Sequence, residues 1–131
     1  MDINYLAVVV SALVGFVVGF PWYGPVFGKA WMELVGMTEE KVQQGNMAKI
    51  FGLSFIFQLI MAYCLAMFLN DPTIDAAMGA FYGFLTGFGW IFFVFATSYL
   101  YEQKPFKLTL INGGYWTVVF TIMGLILGAW K

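Results

Sequence analysis

Hydrophobic positions dominate four long blocks of this chain, roughly Ile3 to Phe20, Ile50 to Leu69, Ala76 to Leu100 and Leu108 to Trp130. A helix needs about 20 apolar residues to cross the hydrocarbon core of a bilayer, and each block reaches or approaches that length. Open strands would leave backbone donors and acceptors unpaired in lipid, so helices are the only physical option for runs of this character. The third block is overlong, which predicts tilt or an extension beyond the core. The polar connectors carry their own stop signals: "NDPT" at 70–73 is a tight turn, because Asp71 before Pro72 disfavours helix, and "YEQKPFK" at 101–107 ends the third block in the same way. The connector 21–49 is longer. Thr38 followed by Glu39 and Glu40 reads as a helix N-cap with acids in the first turn, which lets the second helix begin well before Ile50.

Charge sets the expected orientation. The chain has no arginine, and Lys29, Lys41, Lys49, Lys104 and Lys107 fall in the first and third connectors, whereas Lys131 alone lies on the other face. The positive-inside rule places those two connectors in the cytoplasm and both termini outside. "MDINY" lacks the basic start of a signal peptide, so the first block reads as a retained helix.

Composition narrows the chemistry. With 62% hydrophobic and 10% charged residues in 131, a soluble domain is excluded, and a formal charge of -1 offers no case for nucleic acid. There is no histidine, the acids lie outside the apolar blocks, and Cys64 is the only cysteine. No metal cage, no cofactor and no buried acid/base pair is expected, and Cys64 reads as a buried, inert thiol. An enzyme is not expected, because no nucleophile and base converge.

Two patterns organise the blocks. "GFVVGFPW" at 15–22 matches "GFLTGFGW" at 83–90 in Gly, Phe, Gly, Phe and Trp, so the first and third helices read as parallel copies related by an axis along the membrane normal. Small or polar residues also recur four apart: Ser11, Gly15 and Gly19; Ser54, Gln58 and Ala62; Gly79, Gly83 and Gly87; Gly113, Thr117 and Thr121, continued by Gly124 and Gly128. Residues four apart share a helix face, so each helix has a thin side on which others can pack closely. The plainer reading makes these stripes packing seams. The sharper one makes Gln58, Asn112, Thr86, Thr117 and Thr121 the lining of a polar path.

The segment "PWYGPVFGKAW" at 21–31 allows two readings as well. It caps the first helix at the interface, with Trp22, Tyr23 and Trp31 as an aromatic belt and Lys29 reaching the headgroups. Alternatively the helix breaks at Pro21 and Gly24 inside the membrane and resumes with Pro25 as a short helix, with Lys29 one turn in, Glu33 as its partner, and a weak anion or polar-solute contact at the break.

"WYGPVFGKAW", "GNMAKIFGLSF" and "INGGYWTVVFTIMGLILGAW" together resemble the small bacterial membrane proteins grouped as domain of unknown function 1761, over nearly the whole chain. The resemblance implies a four-span protein of the bacterial cytoplasmic membrane and transfers no catalytic or ligand residues. Its motif positions here are Asn4, Trp22, Tyr23, Gly24, Pro25, Gly28, Lys29, Trp31, Asn112 and Tyr115.

The expectation is therefore an all-α integral membrane protein, a single domain over 1–131 whose four transmembrane helices form two parallel-related hairpins. Candidate ligand or ion contacts are Lys29, Tyr23, Trp22, Gln58, Asn112, Thr117 and Thr121. Candidate packing positions are Ser11, Gly15, Gly19, Gly79, Gly83, Gly87, Gly124 and Gly128. The expected partners are the lipid bilayer and a second copy, a dimer being the default, with the assembly forming a small ion or polar-solute pore or transport site. The alternative is a non-conducting accessory or scaffold subunit of another membrane protein.

Overall fold

A computed structural model describes residues 2–131, and among them every regular element is helical. Four helices are long and apolar enough to cross a membrane: span 1, Tyr5–Val26; span 2, Met47–Phe68; span 3, Ala76–Tyr101; and span 4, Phe106–Ala129. Two short helices, Gly28–Val35 and Glu39–Gln44, connect spans 1 and 2. The chain ends share one end of the molecule, and the two lysine-bearing connectors share the other.

Most helix starts follow from local side chains. Asn4, Asn46 and Asp75 accept hydrogen bonds from the amides of Ala7, Lys49 and Met78, which satisfies donors that a helix N-terminus leaves open. Thr38 does the same for Lys41, but the helix it caps stops at Gln44, and span 2 starts afresh at Met47. The expected early start of the second membrane helix is thus a separate two-turn helix.

Span 1 departs from both readings of residues 21–31. It ends neither at Phe20 nor at Pro21 or Gly24; the helix continues through Pro21 into a wider π turn, Trp22–Val26. Proline removes a backbone donor and pushes against the preceding turn, and a π turn absorbs both by opening the coil. The amide of Phe27 still reaches the carbonyl of Trp22 at 2.8 Å. The break comes at Phe27 (φ -121°, ψ 5°), and the next helix begins at Gly28 rather than Pro25. Lys29 is therefore the second residue of that helix rather than one turn in. A side chain at 28 would lie 2.6 Å from the carbonyl oxygen of Tyr23, so only glycine permits this turn. Gly36, left-handed at φ 71°, closes the short helix, and the amide of Met37 bonds back to Met32.

Span 4 is the hub: 44% of its most apolar window is buried, against 22% for spans 2 and 3. Span 3 packs along its whole length, and span 1 packs on spans 4 and 2. Spans 2 and 3 make no substantial contact with each other, so the bundle is open on that side. A groove of about 780 Å³ runs there, lined by Met61, Cys64 and Phe68 of span 2, Leu85 and Trp90 of span 3, and Phe120 of span 4. Cys64 is consequently exposed on the groove wall and not buried as expected.

Candidate functional site

Where span 1 turns over into the short helix, polar groups from three spans meet. Tyr23 donates its hydroxyl to Asn112 Oδ1 at 2.7 Å, and Asn112 Nδ2 donates to the Tyr99 hydroxyl at 2.8 Å. Beside them Trp22 Nε1 donates to the carbonyl of Ile111 at 2.9 Å. The amide of Asn112 is suited to this place because it accepts on one side and donates on the other, joining span 1 to span 3 through span 4. The donors run in one direction, which leaves the Tyr99 proton and an acceptor lone pair of Tyr23 free for a polar partner.

Tyr115 extends the cluster toward the middle of the bundle. Its hydroxyl bonds to the carbonyl of Gly15, and its ring meets Tyr23 edge-on with centroids 5.1 Å apart. The absence of a side chain at Gly19 admits the phenol, since a Cβ there would lie 3.3 Å from its oxygen. Trp31, on the short helix, covers Tyr23 from outside with a centroid distance of 5.5 Å. Edge-to-face pairs of this kind fix ring orientation as well as burying area.

The sequence candidates divide on these contacts. Trp22, Tyr23 and Asn112 come together; Lys29 lies exposed on the adjacent rim. Thr117 and Thr121 do not join them, because each returns its hydroxyl at 2.7 Å to the carbonyl one turn back, Gly113 and Thr117 respectively. Thr86 does likewise to Tyr82 at 2.9 Å. Each of these hydroxyls commits its proton to its own helix and keeps only acceptor lone pairs for a neighbour. Gln58 is buried at the middle of span 2, on the far side of Tyr115, with its oxygen pressed against Gly15.

The glycines divide too. Gly79, Gly83, Gly87, Gly124 and Gly128 are buried where spans 3 and 4 touch backbone to backbone. Ser11 and Gly15 are buried on the seam of spans 1 and 2, and Gly19 is half-buried against Tyr115. Tyr99 was missed as a site residue: nothing in "ATSYL" distinguishes it from an interfacial tyrosine, and only the return of span 3 brings it to Asn112.

Searches of the curated proteins and of the solved structures return no match. Residues 6–128, nearly the whole chain, match the family described as "Protein of unknown function (DUF1761)", and the chain belongs to that family.

Proposed function

We propose that this is a multi-pass protein of the bacterial cytoplasmic membrane that works as an assembly, with the groove between spans 2 and 3 receiving a helix of a second copy. The groove carries the reading. It is mainly apolar, lies largely within the spans with Leu69 and Ile74 of the connector at one end, and is bounded by the two least buried helices. A two-fold dimer is the simplest closure, because each copy then offers span 2 to the groove of the other. The lysine-bearing connectors lie in the cytoplasm and both termini outside. Spans 1 and 3 each carry a π turn, Trp22–Val26 and Leu85–Phe92, and the two overlap where Trp22 aligns with Trp90 at the end of the matched segments, which is consistent with the two spans as parallel copies. Within each copy a polar solute is met at Tyr23 and Asn112, beside Lys29, by hydrogen bonding and without catalysis, and Trp22, whose one donor is held by Ile111, offers its ring as a wall.

A second reading rests on the threonines. With Thr86, Thr117 and Thr121 bonded to their own helices, these three hydroxyls offer a solute no donor, which favours a non-conducting subunit whose groove takes a foreign transmembrane helix. Cys64, the single cysteine, stands on the groove wall and makes the test direct. Spin labels at Cys64 in nanodiscs should give one narrow inter-label distance, and native mass measurement should give a dimer. Monomers only, with a stoichiometric foreign membrane protein recovered after mild solubilisation, replace the first reading by the second.

A further inference from the structure

Two polar groups behave unlike the rest. Ser11 Oγ and Gln58 Oε1 are buried without any hydrogen-bond partner among the described residues, their residues being 0% and 5% exposed. Thr86, Thr117 and Thr121 show the ordinary solution for a hydroxyl in a membrane helix, a bond to the carbonyl one turn back, and Ser11 does not adopt it.

The two groups share one seam. The Gln58 amide fills the space that a side chain at Gly15 would take, and Ser11 lies one turn from Gly15 on the same face of span 1. The hydrophobic core buried with them, Ala7, Ala12 and Ala62 among others, has no side-chain donor apart from Tyr115. Tyr115 is the one nearby hydroxyl, and its proton is committed to Gly15. A buried polar atom left unpaired is costly, and the common remedy is an ordered water held by the groups that lack partners.

We propose that Ser11 and Gln58 form a buried site for a single water molecule, which donates to Gln58 Oε1 and accepts from Ser11 Oγ, and that it fills from the lysine-bearing end. Direction follows from what lies on either side. Toward the lysines come the polar atoms of Tyr115, Tyr23, Asn112 and Tyr99. Toward the termini Ala66, Leu69 and Leu127, each less than 9% exposed, form an apolar floor between the site and a small recess edged by Asn4, Asn70 and Lys131. The bundle is thus hydrated from one face as far as its middle and dry beyond, a blind inlet inside each copy that is independent of whether copies associate.

Water-edited solid-state NMR on the full chain in bilayers tests this. The Gln58 side-chain amide should receive magnetisation from water at short mixing times, whereas the backbone amides of Ala62 and Ala66 should not. Ser11→Ala should abolish or strongly reduce the transfer to Gln58. Gln58→Met, which preserves bulk, should remove the transfer at Ser11 while the other resonances stay in place. A Gln58 amide as dry as Ala62 overturns the proposal. So does a Gln58 signal unchanged by Ser11→Ala, since the hydroxyl then bonds to the Ala7 carbonyl, and so does water at Ala66 equal to that at Gln58, since entry then comes from the other end.

Discussion

Span 4 is gripped by bare backbone along most of one flank, with the Asn112–Tyr99 hydrogen bond at its lysine-bearing end, and by side-chain hydrogen bonds on the other. Against span 3, Gly79 meets Gly124 and Gly128, Gly83 meets the carbonyl of Phe120, and Gly87 meets Thr117. Against span 1, the joints are Tyr115 to Gly15, Trp22 to Ile111 and Tyr23 to Asn112. Lipid tails are as apolar as leucine, so hydrophobicity does not drive helices together, and these are the two remaining ways to associate: close dispersion contact and interhelical hydrogen bonds. They differ in tolerance. Backbone cannot move aside for an added atom, whereas a side chain can turn away.

The sharpest way to break that contrast is Gly124→Leu, whose side chain would run into the backbone of Gly79. It should cost about 3 kcal/mol or more, read as a loss of folded protein in SDS-titration unfolding. If it costs no more than the same change at Gly52, which has no neighbour within 4 Å, the glycine seam is not what holds spans 3 and 4. Next comes Asn112→Leu, which leaves the Tyr23 and Tyr99 hydroxyls without their partner, at about 2 kcal/mol in the same assay.

Gly15→Ala is the milder test. The atom in its way is the end of the Gln58 side chain, so roughly 1 kcal/mol is expected, clearly below Gly124→Ala. Reversal of that order would remove the distinction between the flanks. Tyr115→Phe deletes one hydrogen bond and keeps the ring, and about 0.6 kcal/mol is expected from membrane hydrogen bonds of this kind.

The smallest effect lies outside the bilayer, in the turn between spans 2 and 3. Hydrogen bonds from the Thr73 amide and hydroxyl, helped by the charge of Lys131, hold the Asp71 carboxyl below its usual range. The folded value lies below the unfolded one, so the contribution is present at neutral pH and fades as pH falls through the folded value. A slight loss of thermal stability in strong acid should therefore occur in wild type and be absent from Asp71→Ala. Neither should alter the contrast between the two flanks of span 4.

Those flanks were unequally legible in advance. On the dry flank the spacing marks a thin face on each helix, glycine every fourth residue at Gly79, Gly83 and Gly87 and at Gly124 and Gly128, but not the register that sets Gly79 on Gly124 and Gly87 on Thr117. The wet flank was readable only in part. Trp22, Tyr23 and Asn112 are polar or amphipathic residues near helix ends, but their pairing spans 89 residues of chain between Tyr23 and Asn112. For Thr117 and Thr121 the destination of the proton was not legible, because a hydroxyl on a thin face has two outlets, a neighbouring helix or its own backbone, and composition does not choose between them. The prolines misled for a related reason: Pro21 and Pro25 forbid regular α-helix, yet a π turn accommodates both without ending the span.

By itself the sequence determined that four helices lie in a membrane, because hydrocarbon thickness and the cost of unpaired backbone groups act on each segment separately. It also marked the turns at 70–73 and 101–107, because caps and prolines there act within a few residues, though not the turn after span 1, which passes both of its prolines. Only the tertiary structure decided that span 4 is the hub, that spans 2 and 3 stand apart around a groove, and that Ser11 and Gln58 are left facing each other's seam unpaired. Those outcomes depend on which thin face meets which, and that is a competition among all four helices at once.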